Sequence, residues 1–238
     1  MSNIGYRVFD NWLSAAHRLL SPACALCGNS AGIDGICEGC RAALPRLPAT
    51  RCPVCALPNV ASDTCGRCLN MQPAFDHVAC ALSYEYPTNV LVLGLKYRHG
   101  LSFARPLAAR LADALDAEPY PDVVIPMPLS PGRLAERGFN QATELARLAA
   151  FEFGLKPSLN LVRRNRESAP QASLPWKERA RNVRNAFECS ASLAGKSVAV
   201  VDDVLTTGAT LNELALALKR QGARQVTGWI AARTLPHE

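Results

Sequence analysis

The stretch "VAVVDDVLTTGATL", residues 198–211, governs the reading of this chain. A run of small β-branched residues ends in Asp202 and Asp203, passes through a Thr/Gly-rich turn and enters a helical pattern. Adjacent carboxylates repel, so a pair at a strand end calls for a partner that uses two anionic acceptors. In the helical pattern Leu211, Leu214, Ala215 and Leu218 share one apolar face, Thr210 and Glu213 have capping-box spacing, and Gly222 is placed to stop the helix. A glycine-containing turn at a helix N-terminus offers free N–H groups to a phosphate, here over Thr206, Thr207, Gly208, Ala209 and Thr210. The two aspartates upstream suit vicinal hydroxyls or a hydrated Mg²⁺. Carboxylates beside a phosphate cradle match a sugar phosphate. An isolated Asp-Asp pair would be solvent-facing turn chemistry. The order strand, acid pair, turn, helix weighs against that reading, and neither G-x-x-x-x-G-K-[ST] nor G-x-G-x-x-G occurs.

Strand and helix patterns alternate around this stretch. "VACALSYEY" (78–86) reads as a strand, "TNVLVLGLKYRHG" (88–100) as a helix and turn, and "FARPLAARLADALDA" (103–117) as a helix with apolar positions three and four apart. "PDVVIPMPLS" (121–130) is a short buried strand ending at prolines, and "NQATELARLAAFEFG" (140–154) a helix. "QVTGWIAAR" (225–233) closes the series as a strand. Such alternation predicts an α/β fold, a parallel sheet covered by helices, with ligands at the carboxyl ends of the strands.

The 238 residues allow one full domain and a small one, and 49% hydrophobic with 19% charged residues describes a folded chain. No apolar run reaches the roughly 18 residues that span a bilayer. The start, "MSNIGYRVFDNWLSAAHRLL", reads as an amphipathic helix over 1–20, not a signal peptide, and the expected location is cytoplasmic. The net charge of +6 is concentrated: residues 133–185 hold eleven Lys/Arg against five Glu and no Asp. That segment suits an anionic partner, phosphates on a small ligand or a nucleic-acid backbone, although a solvated basic face has the same signature.

Eight of the ten cysteines form four C-x-x-C pairs: Cys24/Cys27, Cys37/Cys40, Cys52/Cys55 and Cys65/Cys68. Each half of the block has nine residues between its pairs, and every cysteine of the first half recurs 28 positions later. Two such knuckles supply four thiolates to a tetrahedral Zn²⁺, and a segment so poor in large apolar residues needs the metal to fold. Redox pairs and an iron–sulfur site are the competing readings. A redox motif requires one pair in a βαβ context, not four in a repeat, so two structural zinc ions are favoured, paired within each repeat. Cys80 and Cys189 stand alone as expected core thiols, and His17, His77, His99 and His237 lack ligand spacing.

"VVDDVLTTGAT" (200–210) resembles the phosphoribosyl-diphosphate signature of the type I phosphoribosyltransferases. More closely, the chain resembles the ComF family of competence and DNA-uptake proteins and the related GntX proteins. The residues that carry this are the cysteine pairs, "LKYRHG" (95–100), "PMPLSPGRLAERGFNQA" (126–142), "RNRESAPQ" (164–171) and "ERARNVRNAF" (178–187). The resemblance implies a double zinc ribbon over 21–72 and a phosphoribosyltransferase-like domain over 73–238. It further implies that Asp202 and Asp203 bind the ribose hydroxyls and that Thr206 through Thr210 hold the 5-phosphate. Pro128, Leu129 and Ser130 would lie near the diphosphate, with Lys96, Arg133 and Arg137 neutralising it or meeting a second substrate. The stretch 163–182 would be the loop that covers the site, contributing Arg164, Arg166 and Gln171. Asp202, Asp203, Arg164 and Arg166 are thus the catalytic candidates. Ser168 stands where the family more often has Thr, which keeps a hydroxyl. The implied activity is Mg²⁺-dependent transfer of a phosphoribosyl group to an acceptor that no residue identifies. A role with incoming single-stranded DNA is implied alongside it. The alternative is a non-catalytic nucleic-acid-binding or sensor protein in which Tyr97, Phe139 and Trp176 stack on bases.

Overall fold

The computed structural model describes residues 22–236 apart from 62, 98–99, 116–117 and 166–185. The 1–20 helix, most of the 163–182 stretch, Arg166, Gln171, Trp176, His17, His99 and His237 lie outside the described residues.

Nine residues from Ser197 to Leu205 form the strand that organises the sheet, and from Val198 to Val201 every one is buried. A strand apolar on both sides belongs inside a parallel sheet with a layer on each face. Its neighbours are parallel: Val200 pairs with Gly228 on one side and with Ile125 on the other. Numbered along the chain, the elements are β1 (His77–Ser83), β2 (Val123–Pro126), β3 (Val162–Arg164), β4 (Phe187–Cys189), β5 (Ser197–Leu205) and β6 (Gln225–Arg233). The helices are α1 (Glu38–Ala42), α2 (Gly66–Met71), α3 (Thr88–Tyr97), α4 (Ala104–Leu115), α5 (Pro131–Arg137), α6 (Gln141–Glu152) and α7 (Ala209–Arg220). The sheet runs β1-β6-β5-β2, while β3 and β4 form a separate antiparallel pair.

Side-chain alternation divides the core into two layers. On one face Val198, Val200 and Ile230 pack with Leu211, Leu214 and Leu218 of α7 and with Cys52, Cys55 and Cys68. On the other, Ala199, Val201, Trp229 and Ala231 pack with α3, α4 and α6 and with Cys24, Ile36 and Leu44. The two cysteine repeats therefore sit on opposite faces of one sheet. The connector between them crosses at the end of β1, where Arg46 bridges Leu82 and the Ser83 N–H donates to the Pro45 carbonyl at 3.0 Å.

The apolar stripe on α7 is as expected, but its first turn is not. Thr210 is no cap: the helix begins after Gly208, whose left-handed φ of +80° is open to glycine, and Asn212 N–H donates to the Gly208 carbonyl at 2.8 Å. The backbone requirement at 208 overrides the capping-box spacing. Gly222, φ +92°, ends the helix as anticipated, with the Ala223 N–H returning to the Leu218 carbonyl. Cys80 is buried as expected, and burial pushes its thiol up to about 12; Cys189 is only half-buried at the end of β4.

Leu214 is fully buried between α7 and the sheet. Leu214→Ala is expected to cost about 2–5 kcal/mol of folding stability through lost burial and a residual cavity, measured by denaturant titration of the zinc-loaded protein.

Candidate functional site

The carboxyl ends of β2 and β5 open into a cleft of about 440 Å³. Asp202, Asp203, Thr206, Gly208, Ala209 and Thr210 line it from β5 and the turn into α7. Lys96 and Tyr97 come from the last turn of α3, Pro128 and Leu129 from the loop after β2, and Arg133 and Arg137 from α5. Arg164 arrives from β3. These expected residues are brought together from five stretches of the chain. Two are not in the lining: Ser130, 3% exposed, sits behind the loop at the start of α5, and Thr207 turns toward the second cysteine repeat.

Neighbouring side chains on a strand point to opposite faces, so the aspartates diverge instead of facing each other. Asp203, 3% exposed, points to the α3 side and pairs with Lys96 at 3.0 Å. Burial acts against the Lys96 ammonium, but Asp203, with Asp202 beyond it, outweighs this and raises its pKa. Asp202 keeps part of its surface open to the cleft while its carboxyl lies deep among protein atoms. Burial first, then the Asp203 charge, push it up to about 7, although its Oδ1 accepts from the Asp203 N–H at 2.9 Å. The Arg164 guanidinium is pushed down by burial and by Arg133, and lies 5.5 Å from the centre of the Phe187 ring.

Sequence reasoning missed Tyr84, Leu93 and Gln141 in the lining. Gln141 had a signal, since it belongs to the 126–142 motif, and its buried Oε1 has no hydrogen-bond partner. The Nε of Arg137 is likewise without one, although its guanidinium lies 5.3 Å from the centre of the Tyr97 ring. Unsatisfied buried polar atoms in a cleft are places for a ligand to bond. Tyr97 is 59% exposed, while Phe139 is partly buried against the core.

The eight paired cysteines gather as Cys24, Cys27, Cys37, Cys40 and as Cys52, Cys55, Cys65, Cys68, the sulfurs of each set within 4.8 Å of one another. Pairing is thus within each repeat. The Cys27–Cys37 and Cys55–Cys65 sulfurs are 3.6 and 3.7 Å apart, close to the roughly 3.8 Å edge of a tetrahedron with ~2.3 Å Zn–S bonds. Burial opposes ionisation of Cys24, yet backbone N–H groups of Cys27 and Cys37 overcome it and bring the thiol down to about 6. Cys52 repeats the pattern with Cys65 and Cys55 and falls to about 7. Both clusters fit a structural zinc ion. His77, by contrast, pairs with Glu118 at 2.6 Å, away from either cluster.

A family model for the double zinc ribbon domain matches residues 15–69, and one for the phosphoribosyl transferase domain matches 134–231. The DNA utilization protein YhgH of Salmonella typhi is 36% identical over 208 residues, covering 84% of this chain and 91% of that one. Competence protein F of Haemophilus influenzae is 31% identical over 210 residues with the same coverage. The chain belongs to the ComF family. A more distant relative, competence protein ComFC of Streptococcus pneumoniae, is 29% identical, covering 80% of this chain and 84% of that one. Among solved structures, a purine phosphoribosyltransferase from Pyrococcus horikoshii shares 23% identity over 51% of this chain and 67% of its own, with a TM-score of 0.32, too low to add to the sequence relatives. No helix among the described residues is long and apolar enough to cross a membrane.

Two outcomes follow for this ComF-family chain. Elemental analysis of the purified protein should find two zinc ions per chain, and chelation should abolish cooperative unfolding of the ribbon region. Asp202 has a folded pKa of about 7 against an ordinary 3.8, so its charged form weakens folding. The penalty is absent below pH 3.8, grows as the pH rises and is complete above about 7. Asp202→Asn should therefore stabilise the protein at pH 8 by about 1 kcal/mol, some 2–4 °C in melting temperature, with the gain shrinking to nothing near pH 4. The cleft's access to water keeps this below the full linkage value.

Proposed function

We propose that the cleft binds phosphoribosyl diphosphate and that the protein transfers its phosphoribosyl group to an acceptor, in the service of DNA uptake or utilization. One observation carries the reading: a diverging acid pair and a glycine-opened helix N-terminus sit a few residues apart on the rim of a single cleft. Asp202 and Asp203 accept hydrogen bonds from the ribose hydroxyls, and the N–H groups of Thr206–Thr210 hold the 5-phosphate. Arg133, Arg137 and Arg164 provide positive charge where the diphosphate leaves. In the reaction an acceptor lone pair forms a bond to the anomeric carbon while the carbon–oxygen bond to diphosphate breaks, and the diphosphate departs with that electron pair. Mg²⁺ bound with the substrate would screen the leaving charge. The Asp202 and Asp203 side chains at the end of β5 would suit such a cation near the sugar. The arginines act by electrostatic stabilisation of the departing diphosphate.

The relatives named for competence and DNA utilization support the biological setting. A binding-only reading is favoured by one observation, the exposed Tyr97 ring beside Arg137 at the cleft rim, a surface on which a base could stack.

Calorimetric titration with phosphoribosyl diphosphate and Mg²⁺ tests the pocket. Binding should be measurable for the parent and fall a hundredfold or more, to an order of magnitude, in the Asp202→Asn/Asp203→Asn double variant, because two charged hydrogen-bond acceptors are lost. An inert parent would remove the assignment. Diphosphate release with a panel of bases and amines separates transfer from sensing: binding without release supports the sensor.

A further inference from the structure

We infer that the second cysteine repeat, and not the first, holds the phosphate-binding turn in its working shape, and that Arg67 and Arg233 are the positioning residues through which it does so. The inference rests on the ligand reading above. Arg67 lies between Cys65 and Cys68, inside a knuckle of the second cluster, and its Nη2 donates to the Thr207 carbonyl. Arg233, at the end of β6 and 1% exposed, donates from Nε to the carbonyl of Cys55, a ligand of the same cluster, at 3.0 Å. From Nη1 it donates to the Leu205 carbonyl at 2.7 Å and to that of Thr206. The Thr207 carbonyl is thereby bonded to the ribbon itself, and those of Leu205 and Thr206 to Arg233, which the Cys55 carbonyl ties to the same cluster; the Leu205 carbonyl also accepts from the Thr234 N–H at 3.1 Å.

In a trans peptide the C=O of one residue and the N–H of the next point in opposite directions. Fixing the Thr206 and Thr207 carbonyls toward Arg233 and Arg67 therefore directs the N–H groups of Thr207 and Gly208 the other way, the orientation an anion requires. The chain leaving the ribbon adds to this contact: the Ala74 N–H donates to Asn212 Oδ1 at 2.7 Å, in the first turn of α7. A Cβ placed on Gly208 would touch the Phe75 ring at 3.6 Å.

Among the described residues the first repeat shows no counterpart. Shifted by the 28-residue repeat, the place of Arg67 is taken by Gly39. Its strongest polar ties run elsewhere: Asp34 pairs with Arg41 at 2.9 Å and with Arg110 of α4 at 3.4 Å. Two modules of equal metal chemistry thus differ in what they are attached to.

The test compares Arg67→Gln, Arg67→Lys and Arg233→Lys with Arg41→Gln, which breaks an arginine pair in the first repeat. Each zinc-loaded protein is measured for metal content, amide hydrogen exchange over 205–210 without ligand, and affinity for phosphoribosyl diphosphate with Mg²⁺. Arg67→Gln should keep two zinc ions, speed exchange in that turn about tenfold and weaken binding about tenfold, the equivalent of one charge-assisted hydrogen bond. Arg67→Lys should recover part of both, and Arg41→Gln should change neither. Unchanged exchange at 205–210 in Arg67→Gln, or an equal effect from Arg41→Gln, overturns the inference. Arg67 is half-exposed, so its variants remain informative if Arg233→Lys does not fold. A parent that binds no phosphoribosyl diphosphate removes the functional reading alone, since the exchange measurement still decides whether the ribbon holds the turn.

Discussion

Everything in this molecule is arranged around a strand that cannot tolerate water on either side. From Val198 to Val201, β5 has no polar side chain, so the sheet must be covered twice. Helices α3, α4 and α6 cover one face, and α7 covers the other. Where the strand leaves the covered region its side chains become polar at once, and they do so at the carboxyl end where the next element is a helix N-terminus. The acid pair and the phosphate-type turn thus mark the boundary of the apolar core. Alternation along that strand also removes the electrostatic problem that Asp202 and Asp203 present as a sequence. Asp203 turns to Lys96, while Asp202 faces the cleft and takes the cost as a raised pKa.

The charge in the cleft is balanced in a particular way. Lys96 is committed to Asp203, so it is less a free counter-charge for a diphosphate than the partner of one buried carboxylate. Arg137 has an unsatisfied Nε, and the Arg164 guanidinium is held in an environment that disfavours its own charge. A polyanion entering the cleft would relieve both.

How much of this could be read from the chain depends on the range over which each feature is determined. β5, β6 and the stripe on α7 follow from patterns within a dozen residues, and the sequence fits them closely. The cysteine repeat was equally plain, because metal coordination demands fixed spacing. The start of α7 departs from the expectation, since Thr210–Glu213 satisfies a local rule while the backbone is set by Gly208 two residues earlier. Ser130, which the resemblance places near the diphosphate, is buried as the residue just before α5. Arg233 has no local signature at all. It is a charged residue ending a buried strand, and its meaning comes from Cys55, 178 positions away. Contacts of that separation leave no periodicity to detect.

The connector between the two cysteine repeats has a consequence of another kind. The sheet has two edge strands, β1 and β2, and an open edge is a template on which another chain can add. At β1 the connector sets one antiparallel bridge, Arg46 to Leu82, and gives the Ser83 N–H a partner in Pro45. At β2 the Ser158 N–H occupies the Val124 carbonyl. The passage that carries the chain from one face of the sheet to the other therefore also occupies part of the β1 edge, leaving fewer free backbone groups there on which another chain could add.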